Sequence, residues 1–232
     1  MNPVPRPADK AVTGARSDRA LGGAVRSAET AVGGTIRQAN RERILRAANR
    51  VFARKGYSGA TTAAIAEAAG LPKANVHYYF GSKQALYREV LAGTLHAWLA
   101  PMDHLVPEAD PAAAIEAYLR QKMALSARRP DASRVFANEL LHGAPVLGSL
   151  IRTELRQAVA AKAAVIEGWI AAGRMEPVDA THLFFTMWAA TQTYADFDVQ
   201  VRGVLGRQRL SAADHARAAD HVVALILRGC GV

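Results

Sequence analysis

The chain has 232 residues, a formal charge of +9 at neutral pH and one cysteine, Cys230. A single cysteine excludes an intramolecular disulfide and a cysteine-rich metal site, which suits a reducing compartment. No apolar run of about 18 residues occurs and the N-terminus lacks the apolar centre of a secretory signal, so we expect a cytoplasmic protein with no membrane partner.

The positive charge is concentrated in one part of the chain. Residues 1–36 contain five Lys/Arg and three Asp/Glu, residues 37–83 contain nine and two, and residues 84–232 contain fifteen of each. A neutral body with a basic segment is typical of a protein that binds a polyphosphate through one end. A charge bias that only aids solubility would be spread evenly. The segment 37–83 is therefore the candidate DNA-binding region.

The first predicted segment, residues 1–36, shows no sustained hydrophobic period. It contains three prolines near its start and glycine pairs at 22–23 and 33–34. This composition predicts a disordered N-terminal arm. Its arginines could touch DNA without sequence preference, but an idle tail is the favoured interpretation.

A helical period begins at Arg41. Ile44, Ala48 and Val51 recur at helical spacing with arginines on the other faces, and Gly56 is expected to end this helix. The pattern predicts an amphipathic helix that packs one face against whatever follows it.

Two short helices joined by a tight turn come next, and together they predict a helix-turn-helix. The first begins at Thr61 or Thr62, either of which can cap it. Ala66 is a small residue where the two helices cross, Gly70 tolerates the left-handed backbone of the turn, and Val76 is an aliphatic plug.

The rest of the chain is almost wholly helical in pattern. A fourth helix, capped by Ser82 and broken at Pro101, connects the basic segment to the body. Further helices are predicted at about 111–127, 130–141, 146–172, 179–197 and 211–228. We therefore predict an all-α fold of about nine helices, with a three-helix helix-turn-helix domain (37–83) and a larger effector-binding and dimerisation domain (84–232).

Several motifs resemble known regulators. The segments RILRAANRVFARKGY, TTAAIAEAAGL, HYYF and GSKQALY resemble the TetR/AcrR family of transcriptional regulators. The segments WLAPM, ASRVFANELLHGAP, KAAVIEGWI, PVDATHLFF and WAATQTYADF are similar to a narrower group, the RutR-like regulators of pyrimidine utilisation. Together they cover nearly all of residues 40–200.

The resemblance implies a double-stranded DNA operator as a partner and assigns contacts to it. Residues expected near base edges are Lys73, Ala74, Asn75 and His77, and those expected at phosphates are Thr62, Tyr78, Tyr79 and Lys83. An asparagine can pair with adenine through two hydrogen bonds. The alternative is that the tyrosines are core residues and the polar side chains form a solvated helix face. His77 departs from the tyrosine that the family usually has there.

The predicted helix THLFFTMWAATQTYADF is apolar nearly all round, yet it carries Gln192 and Asp196 on the face of Trp188. A buried amide or carboxylate needs a hydrogen-bond partner, and the pattern alone leaves a ligand and a protein group equally open. The resemblance favours a pyrimidine base such as uracil or thymine. It implies a pocket of Trp98, Gln192 and Asp196, with Tyr194 and His142 as secondary candidates.

A homodimer on a near-palindromic operator is expected from the resemblance, with residues 181–197 and 211–228 as the dimer surface. The stripe of Val222, Leu225 and Ile226 either forms that surface or covers the monomer core. The favoured function is a repressor released by its effector, which is expected to control nucleobase catabolism. A purine, amide or lipophilic drug as effector, or a DNA-compacting protein that senses nothing, remains as an alternative.

Signatures of an enzyme are missing from the sequence. It contains no GxSxG, Walker A, HExxH or CxxC motif, and no two histidines lie three or four residues apart. We therefore predict a regulator without catalytic activity, cofactor or metal.

Overall fold

The computed structural model describes Met1 and residues 17–232, with side chains from residue 35 onward. Within these residues the chain forms helices and turns and no β-strand, which confirms the predicted all-α class. None of the helices in this part of the chain is long and apolar enough to cross a bilayer.

The chain divides into two compact units, residues 1–43 and residues 44–232. The first helical segment, α1, extends over Ser17–Gly59 and is broken by a kink at Gly56 (φ 66°, ψ 177°), the glycine at which the sequence pattern places the end of the helix. Residues 2–16 of the predicted disordered arm lie outside the described residues, but residues 17–36 are helical, unlike the prediction. Alanines at 20, 24, 28 and 31 favour a helix, and extending an existing helix costs far less than starting one.

The helix-turn-helix consists of α2 (Thr62–Ala69) and α3 (Lys73–Phe80). The Thr61 hydroxyl caps α2 by accepting a hydrogen bond from the Ala64 N–H at 3.1 Å. Gly70 ends α2 in the left-handed region (φ 62°, ψ 38°), where residues with a Cβ are strained. Ala66 and Val76 are buried, as the spacing predicts.

The next helix, α4 (Lys83–Leu99), begins at the predicted cap, where the Ser82 hydroxyl accepts from the Ala85 N–H at 3.1 Å. Its buried residues share one core with the residues of the second unit that precede it. That core includes Ile44, Phe52, Ile65, Val76, Phe80, Leu86, Tyr87, Leu91, Val135 and Phe136. The helix-turn-helix, α4 and residues 135–136 are therefore packed as one hydrophobic cluster.

The remaining elements form a helical bundle. A 3₁₀ turn over Ala100–His104 leads to α5 (Pro111–Arg128), α6 (Pro130–Leu141), α7 (Gly148–Leu150), a π-helical turn over Ile151–Leu155, α8 (Arg156–Ala171), α9 (Ala180–Asp196), α10 (Asp198–Leu205) and α11 (Ala212–Gly229). A second core lies among α5, α8, α9 and α11, and α5 packs against both α9 and α11.

Two features of the bundle differ from the sequence pattern. The single long helix predicted after residue 145 is interrupted by the π-helical turn at Ile151–Leu155. In addition, α10 follows α9 after Phe197 alone, whose backbone is non-helical (φ −110°, ψ 31°). No glycine or proline marks that boundary, so the end of α9 gave no sign that another helix begins.

A buried carboxylate joins α4 to the loop after α6. Glu139 is 4% exposed and accepts hydrogen bonds from the Tyr87 hydroxyl at 3.1 Å and from the N–H groups of Val146 and Leu147 at 2.6 and 3.1 Å. The Tyr87 ring lies against Tyr57, with ring centroids 4.8 Å apart. Burial and the Glu139 charge raise the pKa of Tyr87 above its ordinary range, which keeps it a donor.

The Tyr87→Phe variant tests this connection. It removes one of three donors to a buried carboxylate, so we expect a loss of about 1–3 kcal/mol in the free energy of unfolding. Urea denaturation measures it. The control is Tyr57→Phe, whose ring is 37% exposed and which should change stability by less than about 0.5 kcal/mol. Equal effects of the two variants would contradict the role of Glu139.

Candidate functional site

The helix α3 separates an exposed polar face from a buried one. Lys73, Ala74 and His77 are exposed and Asn75 is partly buried. Val76 and Phe80 are in the core. The four residues predicted near base edges therefore lie on or beside the face that the core leaves uncovered, which is the arrangement that a groove-binding helix needs.

The aromatic pair on α3 is divided between surface and core. Tyr78 is 69% exposed, whereas Tyr79 is partly buried and packs against the first core. Their rings meet edge to face, with centroids 5.1 Å apart. Both tyrosines lie on α3, the short helix that also carries the four residues predicted near base edges. One helix therefore presents these base contacts together with two of the predicted phosphate contacts.

The imidazole of His77 is oriented by the turn after α3. Its Nδ1 lies 3.2 Å from the Gly81 carbonyl oxygen, which can only accept. The Nδ1 therefore carries the proton, and in the neutral ring Nε2 is the acceptor. His77 thus offers an acceptor where the family's tyrosine offers a hydroxyl.

Lys83 is engaged within the protein. Its Nζ donates to the carbonyl oxygens of Tyr57 and Ala60 at 2.9 and 3.0 Å and lies 4.5 Å from the centre of the Tyr57 ring. An ammonium has three donors, so one remains for a further acceptor. Thr62, the other predicted phosphate contact outside α3, is partly buried at the first residue of α2.

A cavity of about 120 Å³ lies in the bundle. It is lined by Trp98, Leu99, Met102, Lys122, Phe136, Leu140, Ile151, Leu155, Trp188 and Gln192. The Trp98 ring meets Phe136 edge to face, with centroids 4.6 Å apart. The structure thus brings together two of the predicted pocket residues, Trp98 and Gln192, although they are far apart in sequence.

Asp196 is not among the residues that line this cavity. Four residues of helix are about 6 Å long, and one turn after Gln192 the Asp196 carboxylate accepts a hydrogen bond from the Ser133 hydroxyl at 2.5 Å. Burial raises the pKa of Asp196, and the bond from Ser133 and the charge of Lys122 oppose that shift. The Ser133 hydroxyl is thus one partner of the carboxylate for which the sequence pattern left a ligand and a protein group equally open.

The two secondary candidates do not line the cavity either. Tyr194 faces two pockets beside α10 and α11. His142 is exposed at the end of α6, with its Nδ1 2.7 Å from the Asn138 carbonyl oxygen. Tyr194 is two residues from Gln192 and so points to a different side of α9. His142 is a turn residue.

Sequence reasoning missed Lys122. It is 1% exposed, and its Nζ lies 4.3 Å from the centre of the Trp98 ring. Burial lowers its pKa to about 7, against the opposing charge of Asp196. A signal was present, because Lys122 follows Ile115 and Tyr118 at helical spacing and so occupies the apolar stripe of α5.

Among the described residues, no three His, Cys, Asp or Glu side chains are grouped so that they could hold a metal ion. The candidate sites are α3, with its exposed basic and aromatic side chains, and the small cavity that is lined by the Gln192 amide and the Lys122 amine.

Comparison with known proteins covers both regions. A family model described as bacterial regulatory proteins of the tetR family matches residues 44–90. A second, described as the C-terminal region of YcdC-like proteins, matches residues 91–232. The HTH-type transcriptional regulator RutR of Escherichia coli (strain K12) is 40% identical over 191 residues, which cover 82% of this chain and 90% of that protein.

Solved structures share the fold at low sequence identity. The ketosteroid transcriptional regulator KstR2 of Mycobacterium tuberculosis has a TM-score of 0.65 at 19% identity, covering 82% of this chain and 94% of that one. AibR, in a complex with isovaleryl coenzyme A and operator DNA, has a TM-score of 0.60 at 19% identity, covering 80% and 97%. At these identities the likeness concerns the fold alone.

The Lys122→Met variant tests the electrostatics of the cavity. Above pH 7 the folded protein releases the Lys122 proton, whereas the unfolded chain keeps it until the pH approaches 10.5, the ordinary pKa of a lysine. The unfolded state then binds more protons, so this lysine makes stability rise from pH 7 towards pH 10. We expect Lys122→Met to be more stable than the wild type at pH 6, by a margin that shrinks towards pH 9.

Urea denaturation at several pH values measures this difference. The control is Lys162→Met, which removes a partly exposed lysine of α8 whose Nζ donates to the Leu105 carbonyl at 3.1 Å. Parallel stability curves for the wild type and Lys122→Met would show that burial does not perturb this amine.

Proposed function

Since the chain belongs to the TetR family of transcriptional regulators, we propose that it is a repressor released from its operator by a pyrimidine base such as uracil or thymine. Family membership makes it a ligand-responsive DNA-binding regulator and not an enzyme. The repressor role, the effector and the contacts below are the proposal. The regulated genes would belong to nucleobase catabolism.

The size of the cavity is the observation that carries the effector proposal. Its volume is about 120 Å³. An apolar cavity of about 150 Å³ holds one benzene ring, whereas pockets for drug-sized ligands enclose about 300–1,000 Å³. A single six-membered heterocycle therefore matches the space better than a two-ring purine or a lipophilic drug. The resemblance to pyrimidine-utilisation regulators supports the same class.

The polar groups of the cavity suit the edge of a pyrimidine base. Such a base alternates N–H donors with carbonyl acceptors, and the Gln192 amide can pair with one of each. The Lys122 amine can donate to a second carbonyl, and Trp98 forms an aromatic wall. Asp196 interacts electrostatically with Lys122, so we assign it the role of holding that amine in place. Tyr194 and His142 have no assigned role in this proposal.

The DNA contacts proposed for the helix-turn-helix remain those of the sequence analysis, with two refinements. His77 would accept a hydrogen bond from a base amino group through Nε2. Lys83 would contribute its third donor to a phosphate while anchoring the end of α1. Phosphate contacts of this kind position the helix, and base contacts such as that of Asn75 specify the sequence.

Coupling between the cavity and DNA would act through α4 and α6. Phe136 and Leu140 of α6 line the cavity. On the same helix Glu139 is bonded to Tyr87 of α4. Because α4 starts at the turn after α3 and reaches the cavity with Trp98, a ligand that prefers one arrangement of these helices also biases the helix-turn-helix. A differential affinity of about 1–3 kcal/mol is typical of such coupling.

Regulators of this family act as dimers, and we propose α9 and α11 as the interface. Val222 and Ile226 are buried in the monomer core, so only Leu225 of the predicted stripe can meet a partner, being 60% exposed. Phe185 on α9 is 50% exposed. Large apolar side chains in water on these two helices are typical of a surface that a second protein covers.

The Asn75→Ala variant tests base recognition. On a duplex that the wild type selects from a random pool, we expect affinity to fall about 5- to 150-fold, the equivalent of about 1–3 kcal/mol. On a scrambled duplex it should fall less than about twofold, since phosphate contacts persist. Binding titrations at one salt concentration measure both. The control is Asn138→Ala, the same change at an exposed position of α6. Equal losses of affinity of Asn75→Ala on the selected and the scrambled duplex would exclude base readout by Asn75.

The Gln192→Leu variant tests the effector cavity. It removes the amide that would pair with the base, so release by uracil should need at least about tenfold more ligand, while operator affinity stays within about twofold. Competition titrations with uracil and thymine measure this. Gln157→Leu on the exposed face of α8 is the control. Release of Gln192→Leu at wild-type uracil concentrations would remove the cavity from the effector site.

A further inference from the structure

A second, larger pocket lies away from the effector cavity, between the α5–α6 junction and the α10–α11 loop. Its volume is about 530 Å³. Three arginines, Arg134, Arg202 and Arg209, line it together with His215 and one carboxylate, Asp198. The pocket shares no lining residue with the effector cavity. Its lining therefore carries an excess of positive charge, although the body of the chain is neutral overall.

A buried hydroxyl in this pocket has no partner among the residues that the structure describes. Ser126 lines the pocket and is 2% exposed, and its Oγ makes no hydrogen bond to any described residue. An unsatisfied buried hydroxyl destabilises a fold, so such groups normally find a partner. A ligand oxygen in the pocket would provide one.

The three arginines differ in the number of hydrogen bonds and ion pairs that they make within the protein. Arg134 donates through Nε to the Ala195 carbonyl at 3.2 Å and pairs with Asp131 at 3.6 Å. Arg202 pairs with Asp198 at 2.9 Å and donates to the Gln208 carbonyl at 2.6 Å. Arg209 has no ion pair or hydrogen bond to the part of the chain that the structure describes. The two engaged arginines are held in place at the pocket, and the third is available to a ligand.

Arginine side chains bind phosphoryl oxygens through paired N–H donors, so they are the groups of this pocket that favour an anion. The helix α6 also begins at the pocket, but its first residue, Pro130, has no N–H, and Asp131 in the same turn is a carboxylate. The arginines and the Ser126 hydroxyl, and not the helix terminus, are therefore the candidate ligand contacts.

From these observations we propose that the pocket is an anion-binding site for a phosphoryl group, held by Arg209, Arg134 and Arg202 with the Ser126 hydroxyl as donor. The phosphoryl group belongs either to inorganic phosphate or to a small phosphorylated metabolite, for which the volume leaves room. The chain would then bind a second kind of ligand besides the effector of the small cavity. This site does not depend on the operator or on the pyrimidine.

Thermal unfolding of the full chain, without DNA or pyrimidine, tests the proposal. Sodium phosphate, adenosine 5′-monophosphate and sodium chloride are compared at matched ionic strength, because a ligand of the folded state raises the melting temperature by mass action. We expect a saturable rise with phosphate or with the nucleotide and none with chloride. A rise with phosphate identifies the inorganic ion as sufficient, and a rise with the nucleotide alone identifies an organic phosphate.

Two variants show whether the pocket is responsible. Arg209→Gln should weaken the apparent dissociation constant at least about tenfold, whereas Arg207→Gln, with the same charge loss in the same loop but outside the pocket, should leave it within about twofold. Ser126→Ala should also weaken binding, yet leave the melting temperature of the free protein unchanged or higher, since it removes an unsatisfied hydroxyl.

Two outcomes would overturn the proposal. The first is that neither phosphate nor the nucleotide stabilises the wild type beyond chloride. The second is that Arg209→Gln and Arg207→Gln weaken phosphate binding equally, which would mean that phosphate binding depends on the net charge of the protein and not on this pocket. A wild-type response to phosphate in a protein that ignores uracil would support this site and leave the pyrimidine proposal to fail separately.

Discussion

The buried Glu139 carboxylate is the constraint on which the packing of α6 against α4 depends, and α4 is the helix that follows the helix-turn-helix. A buried carboxylate is costly unless donors surround it, and here the donors come from a helix 52 residues earlier in sequence and from the loop just after α6. Meeting that requirement holds α6 against α4. Since Tyr87 also packs on Phe52 and Tyr57, the same contact reaches the residues that support the helix-turn-helix.

Side chains of α6 contact two of the candidate pocket residues, Asp196 and Trp98. Ser133 on α6 satisfies Asp196, Phe136 packs on Trp98, and Lys122 lies over the Trp98 ring. Lys122 and Asp196 interact electrostatically, while Lys122 lies over the Trp98 ring and Asp196 accepts a hydrogen bond from Ser133. An incoming ligand at Lys122 would meet an amine whose pKa is lowered by burial to about 7.

The basic segment combines two uses of positive charge. Arg50 donates to the Ala68 carbonyl at 2.9 Å and Lys83 to the carbonyls of Tyr57 and Ala60, so these cations satisfy helix ends. Lys73 lies exposed on α3. The excess charge of residues 37–83 therefore holds the helix-turn-helix together as well as attracting nucleic acid, which net charge alone does not reveal.

By itself, the sequence determined the all-α class, the helix-turn-helix and its caps at Thr61, Gly70 and Ser82, because capping and helical period are local properties. The resemblance carried by its motifs also implied Trp98 and Gln192 as pocket residues, and both line one cavity. Only the tertiary structure decided that Ser133 partners Asp196, that Lys122 enters the cavity, and that Val222 and Ile226 belong to the monomer core. Helical period shows which residues share a face, but which faces meet depends on packing between segments distant in sequence.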